Sequence, residues 1–249
     1  MNSRRDPFPH PEWHQDTTVL HGDAALAIDA AVVAPIHYSA TFRAQSAEQF
    51  AEISTTSRPA TFYTRHGNPV NKRVEAILAQ LEGTETALLT GSGMGAICTT
   101  VLALLKAGDH VVAQQRHYMS TSKLFSEILT RYGVEVSFFD QTDLDGLRAA
   151  LRPNTRLIMV ETPVNPSLTI TDLAAVAALA QEHGILTIAD NTFASPLNQR
   201  PHDLGIDIVV HSATKYLGGH GDVMGGVIAT NREWLTKLRH IRVLTGGLL

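Results

Sequence analysis

The segment Thr90-Gly91-Ser92-Gly93-Met94 has the composition of a phosphate-binding turn. It lies between an apolar run and a helical pattern, so its glycines come just before a helix begins. The start of a helix offers unpaired backbone N–H groups and the positive end of the helix dipole, and glycine lets an anion approach the backbone closely. We therefore predict that this turn binds a phosphate group; a tight turn without a ligand is the alternative.

Two further segments supply a carboxylate and an amine. Asp190 follows the apolar run 185–189, and ligands of open α/β sheets bind at the carboxyl ends of strands. There Asp190 could pair with a protonated pyridine nitrogen, or it could simply cap the next loop. Lys215 follows another apolar run, and an amine in apolar or cationic surroundings can attack an aldehyde. Its neighbours Ser212 and Thr214 could donate hydrogen bonds to the same phosphate, whereas a solvated loop lysine is the alternative.

One cofactor requires a phosphate cradle, a carboxylate and a lysine together, and that cofactor is pyridoxal phosphate. The turn also fits the dinucleotide fingerprint G-x-G-x-x-A from Gly91 onward, so an NAD-binding Rossmann protein is a rival hypothesis. That fingerprint requires an acidic residue roughly 20 residues later, and this sequence has Gln114-Gln115-Arg116 there. A dinucleotide would also leave Lys215 without a role.

Seven apolar runs alternate with helical patterns over residues 61–249. Such alternation is typical of an α/β domain, so we predict a mostly parallel seven-stranded sheet with helices on both faces. Residues 1–60 show little periodicity, and we predict an N-terminal arm with one short helix near residues 47–53 that packs on a second subunit or elsewhere on the protein. The predicted strands are 87–89, 110–113, 134–139, 157–160, 185–189, 206–210 and 223–229, and the main predicted helices are 93–106, 120–132, 143–151, 173–183 and 232–243.

Composition excludes several classes of function. The chain has 249 residues, of which 44% are hydrophobic and 18% charged, as in an ordinary globular domain. Its net charge is −4, and because no basic excess exists to recruit phosphates, we predict no binding to nucleic acid or to a membrane surface. No apolar run approaches the roughly 20 residues that a membrane span needs.

Cysteine and histidine usage indicates the compartment and argues against a metal. The single cysteine, Cys98, cannot form an internal disulfide, and no apolar stretch follows Arg4-Arg5 as a twin-arginine signal requires. We therefore predict a cytoplasmic protein. The 12 histidines are scattered without an H-x-H or H-E-x-x-H pattern, so no metal site is predicted.

Five segments occur in the same order as in a known family: residues 63–69, 92–94, 161–166, 190–192 and 211–215. From about residue 15 to the end, the sequence resembles the Cys/Met-metabolism family of fold-type-I pyridoxal-phosphate enzymes. This family performs transsulfuration and includes cystathionine γ-synthase, cystathionine lyases, methionine γ-lyase and O-acylhomoserine sulfhydrylase. The resemblance implies a fold-type-I large domain over residues 61–249.

The resemblance also implies roles for individual residues. Lys215 would hold the cofactor as a Schiff base and move protons on the substrate, and Asp190 would pair with the pyridine nitrogen. Tyr118 would stack on the ring and Asn165 would lie near its 3′-oxygen. The phosphate ligands would be Gly93, Met94, Ser212 and Thr214. Tyr63 and Arg65 would reach the phosphate of a neighbouring subunit, and Lys215, Tyr118 and Tyr63 would form the catalytic set.

For function, the resemblance implies γ-replacement or elimination on sulfur-containing or O-acyl homoserine amino acids, in a dimer of dimers with shared active sites. Synthase or sulfhydrylase chemistry is expected first and a cystathionine or methionine γ-lyase second. Ser120 replaces the cysteine of methionine γ-lyases, and Gly221 replaces a frequent serine. The family's small C-terminal domain, with the arginine that grips the substrate carboxylate, is absent from the 249 residues. The chain is therefore expected to be a truncated enzyme, with a catalytically impaired cofactor-binding fragment as the alternative.

Overall fold

A single seven-stranded sheet forms the centre of the computed structural model, which describes residues 13–27, 31, 33–56 and 61–249. Its order is β1-β7-β6-β5-β4-β2-β3. Only β7 is antiparallel to its neighbours, so six strands run in one direction, as predicted. The strands are β1 (Thr86–Thr90), β2 (His110–Gln114), β3 (Glu135–Phe139), β4 (Thr155–Glu161), β5 (Leu186–Asp190), β6 (Ile208–Ser212) and β7 (Gly226–Thr230).

The predicted strands are confirmed with small shifts in their ends. The largest shift is in the last strand, which was predicted from residue 223 but begins at Gly226. Val223 and Met224 are exposed in the preceding loop rather than buried in the sheet, so their apolar character does not reflect a strand.

Helices connect most of the strands, and capping residues mark where α3 (Pro69–Glu82) begins and ends. The side chain of Asn68 caps the helix after it, and Gly83 ends that helix in the left-handed region with φ 71°. The helix predicted at residues 120–132 is instead one α-helical turn, a π-helical turn (Leu124–Ile128) and a 3-10 turn (Leu129–Tyr132). The α-helices are α1 (Gln15–His21), α2 (Ala47–Thr55), α3 (Pro69–Glu82), α4 (Gly93–Leu104), α5 (Met119–Lys123), α6 (Leu144–Ala150), α7 (Leu173–Glu182), α8 (Ser195–Asn198) and α9 (Arg232–Thr245).

Two apolar layers cover the two faces of the sheet. Because side chains alternate along a strand, Val209 of β6 packs with α3, α6 and α7, whereas Ile208 and Val210 pack with α4 and α9. All three side chains are fully or almost fully buried. The prediction of helices on both faces is therefore confirmed, and burial on both faces explains why the strands read as continuous apolar runs.

The N-terminal region is only partly described. Its helix α1 lies against α3, where Arg73 pairs with Asp23 and the Gln80 side chain donates to the backbone oxygen of Gly22 at 2.6 Å. The short helix predicted at 47–53 is α2. Residues 1–12 of the predicted arm lie outside the described residues, and the division at residue 60 stays a prediction. None of the helices in the described ranges is long and apolar enough to cross a membrane.

Candidate active site

The carboxyl ends of the parallel strands meet at one edge of the sheet and enclose a cavity of about 640 Å³. Because β7 lies between β1 and β6, its first residue, Gly226, pairs with both Thr90 and Ser212. This pairing brings the glycine-rich turn and the lysine loop together. Eight of the ten predicted site residues line the cavity: Gly93, Met94, Tyr118, Asn165, Asp190, Ser212, Thr214 and Lys215.

The glycine-rich turn has the geometry of an anion site. Ser92 caps α4, and its hydroxyl oxygen accepts from the Gly95 N–H at 3.0 Å. The N–H groups of Gly93 and Met94, in the first turn of α4, have no partner within the helix. A Cβ atom on Gly93 would stand 2.7 Å from the Cβ of Ser212. Glycine at this position therefore allows the turn to pack closely against β6. Phosphate binding by the turn stays a prediction.

Asp190 is the last residue of β5 and is buried at the bottom of the cavity. Its Oδ1 accepts from the Thr192 N–H at 3.0 Å and from the Thr192 hydroxyl at 2.6 Å. The Thr192 hydroxyl oxygen also accepts from the Ser212 N–H at 2.7 Å, so it ties the carboxylate to the lysine loop. Burial raises the pKa of Asp190, while the Thr192 hydrogen bonds and the charge of His211 act in the opposite direction. Among the described residues only Oδ1 is engaged, which leaves Oδ2 available to a cationic ligand.

Lys215 lies on the loop after β6, and its side chain lines the cavity without pairing with a carboxylate of the described residues. The loop is fixed by backbone hydrogen bonds, including the Lys215 N–H to the Ser212 oxygen at 3.1 Å. Thr214 was predicted to donate to a phosphate, but its hydroxyl bonds to the backbone of Gly225. The loop that carries the amine is therefore well held, and the Lys215 side chain lines the cavity.

Glu161 is a cavity residue to which the sequence analysis assigned no role. It ends β4 directly beside Asp190 in the sheet register, and it is buried. Its Oε2 accepts from the Tyr118 N–H at 2.6 Å, and its Oε1 accepts from the Asn165 N–H at 3.1 Å. Burial, and then the charge of Asp190, raise the pKa of Glu161 to about 7, while the two N–H bonds oppose the shift. Its position at the end of an apolar run next to that of Asp190 was the available signal.

The raised pKa predicts a pH dependence of stability. An unfolded Glu161 would titrate near 4.5 and the folded one near 7, so the folded protein binds more protons than the unfolded chain between these values. The free energy of unfolding is therefore expected to fall by about 3 kcal/mol from this residue as the pH rises through that range. Urea unfolding across pH 4.5 to 7 measures it. The Glu161→Gln variant, which cannot titrate there, should show a smaller decrease; parallel curves for the two proteins would contradict the prediction.

A buried polar network lies behind the site, on the side of α3. Glu82 at the end of α3 is fully buried, and its Oε1 bonds to Nε2 of His211 at 2.5 Å and to the Asn191 amide at 3.0 Å. Asn191 also accepts from the Gln199 side chain at 2.9 Å. His211 and Asn191 directly neighbour Ser212 and Asp190 in the chain. The network therefore fixes the backbones that carry two cavity residues.

Tyr63 and Arg65 are the two predicted site residues that the structure does not bring into the cavity. The Arg65 guanidinium lies over the Tyr63 ring at 5.0 Å, and Tyr63 forms a bridge with Thr41. Their assignment to the site of a neighbouring subunit stays a prediction. The described residues contain no cluster of three or more histidine, cysteine or acidic side chains that could hold a metal ion.

The sheet order also bears on the dinucleotide hypothesis. The dinucleotide-binding fold has the strand order 3-2-1-4-5-6 in a mostly parallel sheet, so the strand before its glycine-rich turn is central. Here an antiparallel strand, β7, separates β1 from the rest of the sheet, and the strand after the glycine-rich turn ends in Gln114 rather than an acidic residue. The glycine-rich turn therefore belongs to a different architecture.

Comparisons with known proteins agree with this architecture. The family described as "Cys/Met metabolism PLP-dependent enzyme" matches residues 16–249. An L-methionine γ-lyase of Fusobacterium nucleatum subsp. polymorphum is 44% identical over 236 residues, which is 94% of this chain and 60% of the relative. A probable cystathionine γ-synthase of Herpetosiphon aurantiacus is 42% identical over 93% of this chain and 70% of the relative.

Solved structures show the same fold. The crystal structure of metB from Corynebacterium glutamicum superimposes with a TM-score of 0.88 at 35% identity, covering 98% of this chain and 61% of that one. Cystathionine γ-lyase from Lactobacillus plantarum, complexed with L-serine, gives a TM-score of 0.86 at 39% identity, over 95% of this chain and 60% of that one. The chain thus spans about 60% of the length of most of these proteins.

Proposed function

Because the chain belongs to the Cys/Met metabolism family of PLP-dependent enzymes, we propose that it binds pyridoxal phosphate through Lys215 and performs transsulfuration-type chemistry. The reactions are γ-replacement or elimination on sulfur-containing or O-acyl homoserine amino acids. One observation carries the proposal: Lys215, Asp190 and the N-terminal turn of α4 face the same cavity. This is the set of groups that a phosphorylated pyridine aldehyde requires.

The cavity residues fit the cofactor part by part. The N–H groups of Gly93 and Met94 at the start of α4 would bind the phosphate, together with the hydroxyl of Ser212, which lines the same cavity. Oδ2 of Asp190 is available to a protonated pyridine nitrogen. The ring of Tyr118 lines the cavity and is half exposed, so it can stack on a planar ligand.

When bound, pyridoxal phosphate supplies an electron sink for a carbanion at the substrate α-carbon. Asp190, as a carboxylate, would pair with the protonated pyridine nitrogen. The amine of Lys215 would hold the cofactor, and it would accept the substrate α-proton and return it later in the reaction. Phe193 and Tyr216 pack edge to face at 6.0 Å and, with Met224, give the cavity an apolar wall suited to a thioether side chain.

Between synthase and lyase, we propose synthase or sulfhydrylase chemistry first and a cystathionine or methionine γ-lyase as the alternative. Sequence identity does not separate them, because relatives with lyase and synthase names match at 44% and 42%. Ser120, two residues after the proposed stacking tyrosine, stands where the resemblance places the cysteine of methionine γ-lyases, and this departure weakens that one assignment. A panel of O-acetylhomoserine, O-succinylhomoserine, cystathionine and methionine distinguishes the activities.

The proposal is tested by trapping the cofactor. The purified protein is mixed with pyridoxal phosphate, reduced with borohydride and digested, and the modified peptide is identified by mass spectrometry. The expected result is a pyridoxyl group on Lys215. A cofactor-loaded protein with no such group on Lys215, or a protein that binds nicotinamide dinucleotide instead, would show that the proposal is wrong.

Replacing Gly93 with alanine is expected to weaken pyridoxal phosphate binding by about 10-fold to 100-fold. The new Cβ would stand 2.7 Å from the Cβ of Ser212, so the turn must move away from β6, at an overpacking cost of roughly 1–3 kcal/mol. Gly95→Ala is the matched control, since its Cβ would come no closer than 3.3 Å to the Ser92 hydroxyl oxygen. Fluorescence titration gives both affinities, and equal values would contradict the role of Gly93.

We also propose a homo-oligomer, a dimer of dimers, in which Tyr63 and Arg65 reach a neighbouring subunit's phosphate. Ile36 and Tyr38, in the same N-terminal region, are 85% and fully exposed, so this region presents apolar surface that an adjoining subunit could cover. Sedimentation velocity measures the mass of the particle. A monomer at micromolar concentration would contradict the proposed assembly.

A further inference from the structure

We propose that Glu161 is a positioning residue: its two carboxylate oxygens hold the backbones of Tyr118 and Asn165 on the cavity wall and so set where a planar ligand can lie. The inference rests on the proposed function for its consequence, because both residues are proposed to contact the cofactor. The contact itself is a property of the chain alone and is testable without the cofactor.

The position of Glu161 allows each of its two carboxylate oxygens to accept from a different backbone N–H group. It is the last residue of β4, so its backbone is fixed by the sheet beside Asp190 of β5. From there one oxygen reaches the Tyr118 N–H at 2.6 Å and the other reaches the Asn165 N–H at 3.1 Å. Tyr118 is the N-cap of α5, and its own side chain makes no cap hydrogen bond; the carboxylate satisfies the backbone N–H of this N-cap residue.

The surroundings of Glu161 shield its side chain from solvent. The side chain is 7% exposed, and the buried ring of His117 lies beside it, with Nδ1 3.9 Å from Oε2. Within the described residues neither ring nitrogen of His117 has a hydrogen-bond partner, and its ring stacks on Phe125 at 6.3 Å. Burial lowers the pKa of His117 to about 3, so its imidazole is neutral and does not form an ion pair with Glu161. Above pH 7, where Glu161 is ionised, both of its hydrogen bonds are charge-assisted and therefore strong.

Replacing Glu161 with glutamine tests whether its two hydrogen bonds matter or only its volume. Glutamine has nearly the same shape, but it offers one oxygen acceptor and an NH₂ group, which is a donor. The NH₂ group would face either the Tyr118 N–H or the Asn165 N–H, and donor facing donor cannot bond. Glu161→Gln should therefore release one of the two segments while β4 stays intact.

Amide hydrogen exchange above pH 7, where Glu161 is ionised, measures this release and is followed by NMR on the cofactor-free protein. In the Glu161→Gln variant the amide of Tyr118 or Asn165 is expected to exchange at least about tenfold faster, as expected for the loss of a hydrogen bond to a charged group. Amides within β4 should keep their rates. Glu127→Gln, an exposed position, is the matched control and should change neither.

A second measurement links the contact to the site. With pyridoxal phosphate bound, Glu161→Gln should still be reduced by borohydride on Lys215, but its visible circular dichroism should differ from that of the unmodified protein, because the ring lies differently against Tyr118. The Glu127→Gln control should give the unmodified spectrum.

The outcomes are distinct. Unchanged exchange at both amides, or unchanged dichroism with the cofactor on Lys215, overturns the positioning role. Faster exchange in a protein that binds no pyridoxal phosphate supports the Glu161 contacts and contradicts the proposed function instead. If Glu161→Gln does not fold, the unmodified protein decides: Tyr118 and Asn165 amides that exchange as fast as those of exposed loops overturn the inference, and protected ones support it.

Discussion

Replacing Lys215 with alanine is expected to abolish the borohydride-stable attachment of pyridoxal phosphate and to lower turnover by about 100-fold to 10,000-fold, the range that general acid–base catalysis contributes. Lys215 is proposed to form the covalent link and to carry the α-proton, so one substitution removes both. The phosphate turn at Gly93 and the carboxylate of Asp190 remain. Non-covalent binding of the cofactor should therefore persist at reduced affinity.

The measurement is mass spectrometry of the reduced protein, together with turnover of the substrate panel: formation of the sulfur-containing replacement product, or release of keto acid or thiol. Lys123→Ala is the control, because Lys123 is an exposed lysine at the end of α5, outside the cavity. Equal labelling of Lys215→Ala and unmodified protein would contradict the assignment of the cofactor lysine. An NAD-binding protein would be indifferent to this substitution.

Replacing Glu82 with alanine is expected to lower the free energy of unfolding by about 2–5 kcal/mol, because the change removes a buried acceptor that serves two hydrogen bonds and deletes a buried side chain. Glu82 is fully buried, and its Oε1 accepts both the His211 ring and the Asn191 amide. Alanine would leave both partners buried without their acceptor and would also open a cavity at the end of α3.

Urea or thermal unfolding of the two proteins side by side gives this difference. The exposed Glu127 supplies the control, and its replacement by alanine should stay within about 0.5 kcal/mol of the unmodified protein. A Glu82→Ala variant as stable as that control would show that water or rearrangement replaces the lost acceptor. The same experiment on Glu82→Gln keeps the volume and tests the charge alone.

Much of the fold followed from local sequence signals. Each strand has a short apolar run closed by turn residues, and burial on both faces of the sheet gave those runs their continuous character. The proximity of Gly93, Asp190 and Lys215 was also predictable, since all three follow strands that run parallel and therefore end at one edge. Because each of the three residues follows its own apolar run, the sequence alone indicated that they share one edge of the sheet, even though it did not give the order of the strands.

Contacts between distant parts of the chain were not predictable in this way. Glu82 and His211 are 129 positions apart, and Glu161 and Tyr118 are 43 apart; no local pattern marks either pair. A buried glutamate in a helix reads as an ordinary polar residue until its partner is located. The insertion of β7 between β1 and β6 is equally a property of the tertiary structure, because an antiparallel strand buried on both faces has the same apolar composition as a parallel one.

The close packing where β7 begins constrains how this site can evolve. A Cβ on Gly226 would stand 2.1 Å from the backbone oxygen of Ser92, and one on Gly93 would stand 2.7 Å from Ser212, which itself pairs with Gly226. The atoms in the way belong to the backbone of Ser92 and to the Cα and Cβ of Ser212, which remain whatever other side chain stands there. A second side-chain substitution therefore does not make room for a larger residue at either glycine, and single-step adaptation has to proceed through the rest of the cavity wall.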